Sequence, residues 1–157
     1  MNKCYQLIGV PGSGKSTWIK QQTWALGLPV VSSDFFIEQE AARTGKTYTE
    51  VFKDYIPIAL KLMFNQALVC QANKLDFIWD QTNTTVSTRK KKFDTLLPTQ
   101  YEHIAVVFKV PEPDELVRRL ASRAGKEIPA DVMESMIKNF EQPTLEEGFT
   151  KIWLVGE

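Results

Sequence analysis

Gly9-Val10-Pro11-Gly12-Ser13-Gly14-Lys15-Ser16 decides how the rest of this chain is read. The octapeptide matches G-x-x-x-x-G-K-[ST]. Its glycines let the backbone curl until several N–H groups face one anion. A helix starting at Lys15 adds its positive N-terminal end. A lysine at 15 reaches β- and γ-phosphates, and a hydroxyl at 16 offers an oxygen to Mg²⁺. The context agrees: apolar Leu7-Ile8-Gly9-Val10 precedes the loop, and a helical stretch from Lys15 to about Trp24 follows it. The loop therefore reads as a site for ATP or another NTP with Mg²⁺. Gly12, Ser13, Gly14, Lys15, Ser16 and Thr17 are the candidate contacts. A purely structural turn is the competing reading. A dinucleotide loop fails, because position 17 is Thr and not a third Gly.

Outward from the loop, short apolar runs alternate with helical stretches. Strands are expected near Tyr5–Val10, at Leu28–Val31, at Phe77–Trp79 ending in Asp80, at His103–Val110 and at Ile152–Val155. Helices are expected at Asp34–Arg43, Thr49–Asn73 with Pro57 inside, Ser87–Leu97, Pro113–Arg123 and Pro129–Phe140. Strands separated by helices imply an α/β fold with a five-stranded parallel sheet and helices on both faces. Apolar Ile104-Ala105-Val106-Val107-Phe108 suits a strand buried on both sides. Ligands of such sheets sit beyond the carboxyl ends of the strands, so residues that follow strands are the ones to weigh.

Asp34 follows the second strand. It can take the proton of an attacking hydroxyl, or merely cap the helix it opens. Asp80 ends the third strand and can hold a Mg²⁺-bound water, and Asn83 beyond it can meet a substrate. The alternative for Asp80-Gln81-Thr82-Asn83 is a turn. Arg119 and Arg123 are spaced to share a helix face, where they can close over phosphates as a lid, or else remain solvated. In the basic run Arg89-Lys90-Lys91-Lys92, Arg89 is nearest the site and the lysines read as largely solvated. His103 reads as structural, as do Tyr48, Phe52, Tyr55 and Phe64, whose roughly helical spacing fits a core.

Composition bounds these readings. The 157 residues carry 19 basic and 19 acidic side chains, so no global field draws the chain to nucleic acid. A hydrophobic content of 43% excludes a disordered chain. No apolar run is long enough to span a membrane. Two cysteines, Cys4 and Cys70, make no scaffold and fit buried thiols in a reducing compartment. A single domain over 1–157 with a cytoplasmic location is the expectation.

Taken together, Pro11 to Trp18, Ser33-Asp34, Asp80-x-Thr82-Asn83 and Glu115-Leu116-Val117-Arg118-Arg119 with Ser122-Arg123 and Pro129 resemble the kinase domain of phage polynucleotide 5′-kinases. The likeness runs from about Lys3 to Phe140. It implies a P-loop kinase fold with a helical, arginine-bearing lid. It also implies that Lys15 and Ser16 bind the NTP, that Asp34 is the general base and that Arg123 contacts the donor phosphates. A role in nucleic acid repair, in the cytoplasm of a host cell if the chain is phage-encoded, follows from the same likeness. One departure stands out. The family has a phosphate-binding arginine three residues beyond its base, where this chain has Ile37. Arg89 or Arg43 would have to supply that charge, or the acceptor lacks the phosphate. A weaker likeness joins Asp80–Asn83, Gly125–Pro129 and Asn139–Phe149 to the kinase-like domain of heterogeneous nuclear ribonucleoprotein U, a binding module.

The expected activity is therefore transfer of the ATP γ-phosphate to the 5′-hydroxyl of a DNA or RNA end. Asp34, Lys15 and Arg123 would be catalytic, Arg119 would assist, Ser16 and Asp80 would hold metal, and Asn83 and Arg89 would meet the substrate. Two alternatives stay open: a nucleoside-type small-molecule acceptor, and an NTP-binding scaffold that controls RNA or protein partners without turnover.

Overall fold

The computed structural model describes residues 1–156. Five strands form one parallel sheet: β1 (Asn2–Ile8), β2 (Val30–Val31), β3 (Phe77–Asp80), β4 (Tyr101–Phe108) and β5 (Phe149–Val155). Their spatial order is β2-β3-β1-β4-β5. The strand that feeds the phosphate loop thus lies in the middle, paired with β3 on one side and β4 on the other. The register sets Leu7 beside Asp80, which brings the end of β3 next to the start of the loop.

The helices are α1 (Lys15–Gln21), α2 (Thr23–Leu26), α3 (Ser33–Thr44), α4 (Tyr48–Ala72), α5 (Val86–Thr95), α6 (Pro113–Ala121) and α7 (Ala130–Lys138). Alternating strand residues face opposite sides of the sheet. Cys4, Phe77 and Trp79 pack against Met63, Ala67 and Cys70 of α4. Tyr5, Leu7, Ile78 and Ile104 face the other way, toward Trp18, Ile19 and Ala25 of α1 and α2. Helices therefore cover both faces, which is why the strands are apolar throughout.

Several element ends differ from the sequence reading. The first helix stops at Gln21, because Gln22 is extended, and α2 restarts after it. The second strand shortens to Val30–Val31, although the Pro29 carbonyl already accepts from Ile78 N–H at 2.9 Å. Helix α4 carries Pro57 internally and starts on a capping box formed by Thr47 and Glu50. Helix α6 ends at Ala121 with Ser122 as its C-cap, so Arg123 lies in the turn beyond it. Arg119 and Arg123 therefore do not share one continuous helix face, contrary to their spacing.

Candidate active site

The phosphate loop is built from backbone geometry. Gly14 caps α1 with φ of 101°, a value that side chains resist. Gly9 is required for space: a Cβ there would meet Ser13 Oγ at 2.5 Å and Phe108 Cβ at 3.0 Å. Its N–H donates to the Thr82 carbonyl at 2.9 Å, fastening the loop to the segment after β3. Lys15 Nζ donates to the carbonyls of Gly9 (2.8 Å) and Val10 (3.1 Å). Burial pushes the Lys15 ammonium down to about 8, opposed by the carboxylates of Asp80 and Asp34. Ser16 and Thr17 are exposed on the first turn of α1, and the Ser13 hydroxyl is buried without a partner.

Asp34 occupies the first turn of α3, directly after β2. It does not cap this helix. Ser32 does, its Oγ accepting from Asp34 N–H at 3.1 Å, so the Asp34 carboxylate is free for other contacts. Both of its oxygens are engaged. The Tyr48 hydroxyl donates to Oδ1, and Lys126 Nζ lies 3.3 Å from Oδ2. Lys126 also pairs with Glu38 at 3.0 Å and sits 4.5 Å over the Tyr48 ring. Tyr48, read from sequence as core, is thus a polar partner of the candidate base. Burial and the nearby Asp34 carboxylate push its phenol well above the ordinary range, so it stays a donor.

Asp80 lies at the carboxyl end of β3, half-buried. Desolvation raises its carboxyl above the usual carboxylate range, and the Lys15 ammonium pulls it back. Asp34 follows β2 and Asp80 ends β3, and β3 lies beside the strand that enters the loop, so both acids sit on the carboxyl-end side of the sheet with Lys15. Gln81 Nε2 donates to Ser33 Oγ at 3.1 Å and ties the two acid-bearing segments together. A desolvated carboxylate near an exposed hydroxyl and a phosphate-binding loop is the sparse donor set that Mg²⁺ uses together with phosphate oxygens. Ser16 and Asp80 would hold that ion, which would supply charge neutralisation at the phosphates. Among the described residues no three His, Cys, Asp or Glu side chains converge as a metal cage.

The arginines divide. Arg119 is bonded to Glu115 at 2.8 Å and, through Nη1, to the Gly12 carbonyl at 3.0 Å. Arg123 has a buried Nη1 with no partner. Lid and loop are packed together through Val10, Leu116, Leu120 and Met133.

Two expected substrate contacts are corrected. Arg89 is fully buried; Glu147 holds its Nε (2.8 Å) and Nη2 (3.1 Å), and the Asn83 carbonyl accepts from Nη1 (2.9 Å). Every edge of that guanidinium is committed, so it cannot supply the charge that Ile37 lacks. Asn83 is buried too, with φ of 49°, and its Nδ2 donates to the Leu7 carbonyl at 2.8 Å. It anchors the end of β1 and is not open to a substrate. Arg43, the other proposed source of charge, is exposed and paired with Glu40 one turn away on α3. Lys92, read as solvated, is only 2% exposed, and His103, read as structural, is buried.

The residues that sequence reading missed are Tyr48, Lys126 and Glu38. Lys126 enters from the lid segment, whose backbone is clasped to the start of α4. The Gly125 carbonyl accepts from Thr49 N–H (3.1 Å) and Oγ1 (3.0 Å), and Glu127 N–H donates to Thr49 Oγ1 (2.8 Å). The one available signal was the Gly125-Lys126 pair between the arginines and Pro129.

Comparison with known proteins agrees with this fold. The AAA domain family AAA_33 matches residues 6–143. The bifunctional polynucleotide phosphatase/kinase of Schizosaccharomyces pombe (strain 972 / ATCC 24843) is 28% identical over 151 residues; the match takes in 93% of this chain and 31% of that protein. This chain thus spans about a third of that relative's length. Among solved structures, a candidate kinase from Chloroflexus aurantiacus j-10-fl superposes with a TM-score of 0.75 at 23% identity, covering 98% of this chain and 84% of that one. A chain of the Pnkp1/Rnl/Hen1 RNA repair complex gives 0.66 at 22% identity, covering 88% and 43%. A gluconokinase from Sinorhizobium meliloti 1021 gives 0.58 at 18% identity, covering 99% and 84%. At these identities the structures establish the fold, and the matched length establishes the family. With its phosphate loop on the central strand, Asp80 at the end of adjacent β3 and Asp34 just after β2, this chain belongs to the AAA_33 family of AAA domains and has the P-loop kinase fold.

Proposed function

We propose that this chain is an ATP-dependent phosphotransferase that phosphorylates the 5′-hydroxyl of a DNA or RNA end. The observation that carries the reading is that Asp34 and Asp80 both follow strands on the side of the sheet from which the phosphate loop and Lys15 emerge. Asp34 adds a half-exposed carboxylate on an element separate from the loop, which a general base for an acceptor hydroxyl needs and nucleotide binding alone does not. Lys15 and Arg123 neutralise charge on the transferred phosphoryl group, and the backbone N–H groups of the loop orient it. Asp34 takes the proton of the acceptor hydroxyl. The likeness to the fission yeast phosphatase/kinase supports a polynucleotide acceptor.

A small-molecule acceptor is the second reading, and Ile37 favours it. That side chain is fully buried between α3 and α4, so α3 carries no cation one turn beyond Asp34. The shared fold with a gluconokinase is compatible with it.

The test is transfer of labelled phosphate from ATP to a 5′-hydroxyl oligonucleotide and to a free nucleoside, by wild type and by Asp34→Asn. Transfer by wild type that Asp34→Asn loses, while ATP binding persists, supports catalysis. Preference for the nucleoside moves the assignment to the second reading. Inactivity of both proteins on every acceptor overturns the enzymatic proposal.

A further inference from the structure

We infer that Tyr48 is the positioning residue of Asp34 and that Asp34 Oδ2 is the oxygen that receives the acceptor proton. This rests on the proposed phosphotransfer. The two carboxylate oxygens have different partners. Oδ1 accepts from the Tyr48 hydroxyl, and Oδ2 faces Lys126 Nζ at 3.3 Å.

The first contact is built to last. Tyr48 opens α4, immediately after the Thr47 cap, and packs against the apolar cluster between α3 and α4 that includes Ile37 and Val51. Burial and two neighbouring carboxylates, Asp34 and Glu38, disfavour the phenolate, while Arg123 opposes them. The phenol therefore remains a donor and can neither release its proton nor accept one at neutral pH. It holds Asp34 in one rotamer at one oxygen, as a hydrogen-bonded partner fixes a catalytic base elsewhere.

The second contact is built to exchange. It is the longer of the two Lys126 ion pairs, and Glu38 holds the ammonium at 3.0 Å without help from Asp34. The backbone on either side of Lys126 is fastened to Thr49 independently of the side chain. The ammonium can thus remain on Glu38 and over the Tyr48 ring while Oδ2 turns to a substrate hydroxyl. In the step that follows, the acceptor oxygen forms a bond to the γ-phosphorus and the bond from that phosphorus to the β–γ bridging oxygen breaks. The acceptor proton moves to Oδ2, and ADP leaves with the bridging electron pair.

The test is a double-mutant cycle on the phosphotransfer assay. Tyr48→Phe keeps the ring in the α3/α4 core and removes only the donor. The expected result is a fall in kcat of about ten- to a hundredfold with KM for ATP unchanged. On the residual transfer of an Asp34→Asn background the same substitution is expected to have no further effect. Tyr55→Phe, in the same cluster, is the control for loss of a phenol. An unchanged kcat in Tyr48→Phe, or an equal loss with and without the Asp34 carboxylate, overturns the positioning role while leaving the phosphotransfer reading intact. Absence of transfer by wild type to any hydroxyl acceptor overturns that reading and this inference together.

Discussion

Arg119 donates through Nη1 to the carbonyl of Gly12 at 3.0 Å, so an arginine of the lid helix is hydrogen-bonded to the phosphate loop itself. Its other edge is held by Glu115. Arg123, by contrast, keeps a buried Nη1 without a partner. An orphaned buried donor costs about 1–3 kcal/mol, a cost that an anionic oxygen removes.

The two arginines are therefore expected to separate kinetically. Arg123→Ala should lower kcat by roughly a hundredfold or more, the scale of losing a donor to transition-state charge. Arg119→Ala should act mainly on nucleotide affinity, through a loosened loop. Steady-state kinetics with ATP measure both; equal effects on kcat would remove the distinction.

Lys15→Ala is expected to abolish ATP retention. In wild type, the ATP dissociation constant should rise between pH 7 and 9, because burial sets the Lys15 ammonium at about 8 and its deprotonation removes the charge that meets the phosphates. Calorimetric titration across that range checks the slope. A flat profile would mean that Lys15 stays charged throughout that range.

Lys92 tests the interior. It is 2% exposed, donates to the Thr88 carbonyl at 3.3 Å and lies 5.4 Å from the centre of the Trp79 ring. Burial lowers its ammonium from 10.5 to about 8. The unfolded chain then binds more protons between those values, so stability should rise with pH through the window from about 8 to 10.5. Lys92→Met should flatten that rise and be neutral or stabilising at pH 7. Urea unfolding at several pH values decides it.

His103 sets the acid limit. Gln6 Nε2 donates to its Nδ1 at 3.1 Å, and burial lowers the imidazole to about 4. The folded state resists the proton that the unfolded state takes up near 6.5. Stability is therefore lost as pH falls from about 6.5 to 4, by up to roughly 3 kcal/mol from this residue. His103→Gln should reduce that loss in acid unfolding followed by circular dichroism.

Arg89→Ala should destabilise the fold by about 3–5 kcal/mol, because it leaves Glu147 without its cation at 10% side-chain exposure. Denaturant midpoints measure this. A variant of native stability with a raised acceptor KM would instead return Arg89 to the substrate site.

The parts of the site legible in the sequence are those whose chemistry is local. Gly9 to Ser16 form a loop because nearby glycines and a following helix suffice, and Asp34 and Asp80 could be placed because one follows a strand and the other ends one. Tyr48, Lys126 and Glu147 were not legible as partners. They lie 14, 92 and 58 residues from Asp34, Asp34 and Arg89, respectively. No local pattern reports a contact made through the tertiary fold. Arg89 and Lys92 misled for a related reason. Charge suggests a substrate contact for Arg89 and solvent for Lys92, whereas their spacing puts both on the face of α5 that turns inward.

Local sequence alone carried the alternation of buried strands and helices, the anion-binding loop, and the acids after β2 and at the end of β3. These depend on periodicity, on glycine's freedom and on strand ends, all of which act over a few residues. Only the tertiary structure decided the sheet order that brings Asp80 beside the loop, and which charges face the crevice and which are locked in ion pairs. The reason is that burial and pairing are properties of position in space, and a charged side chain is free or committed according to what the fold sets against it.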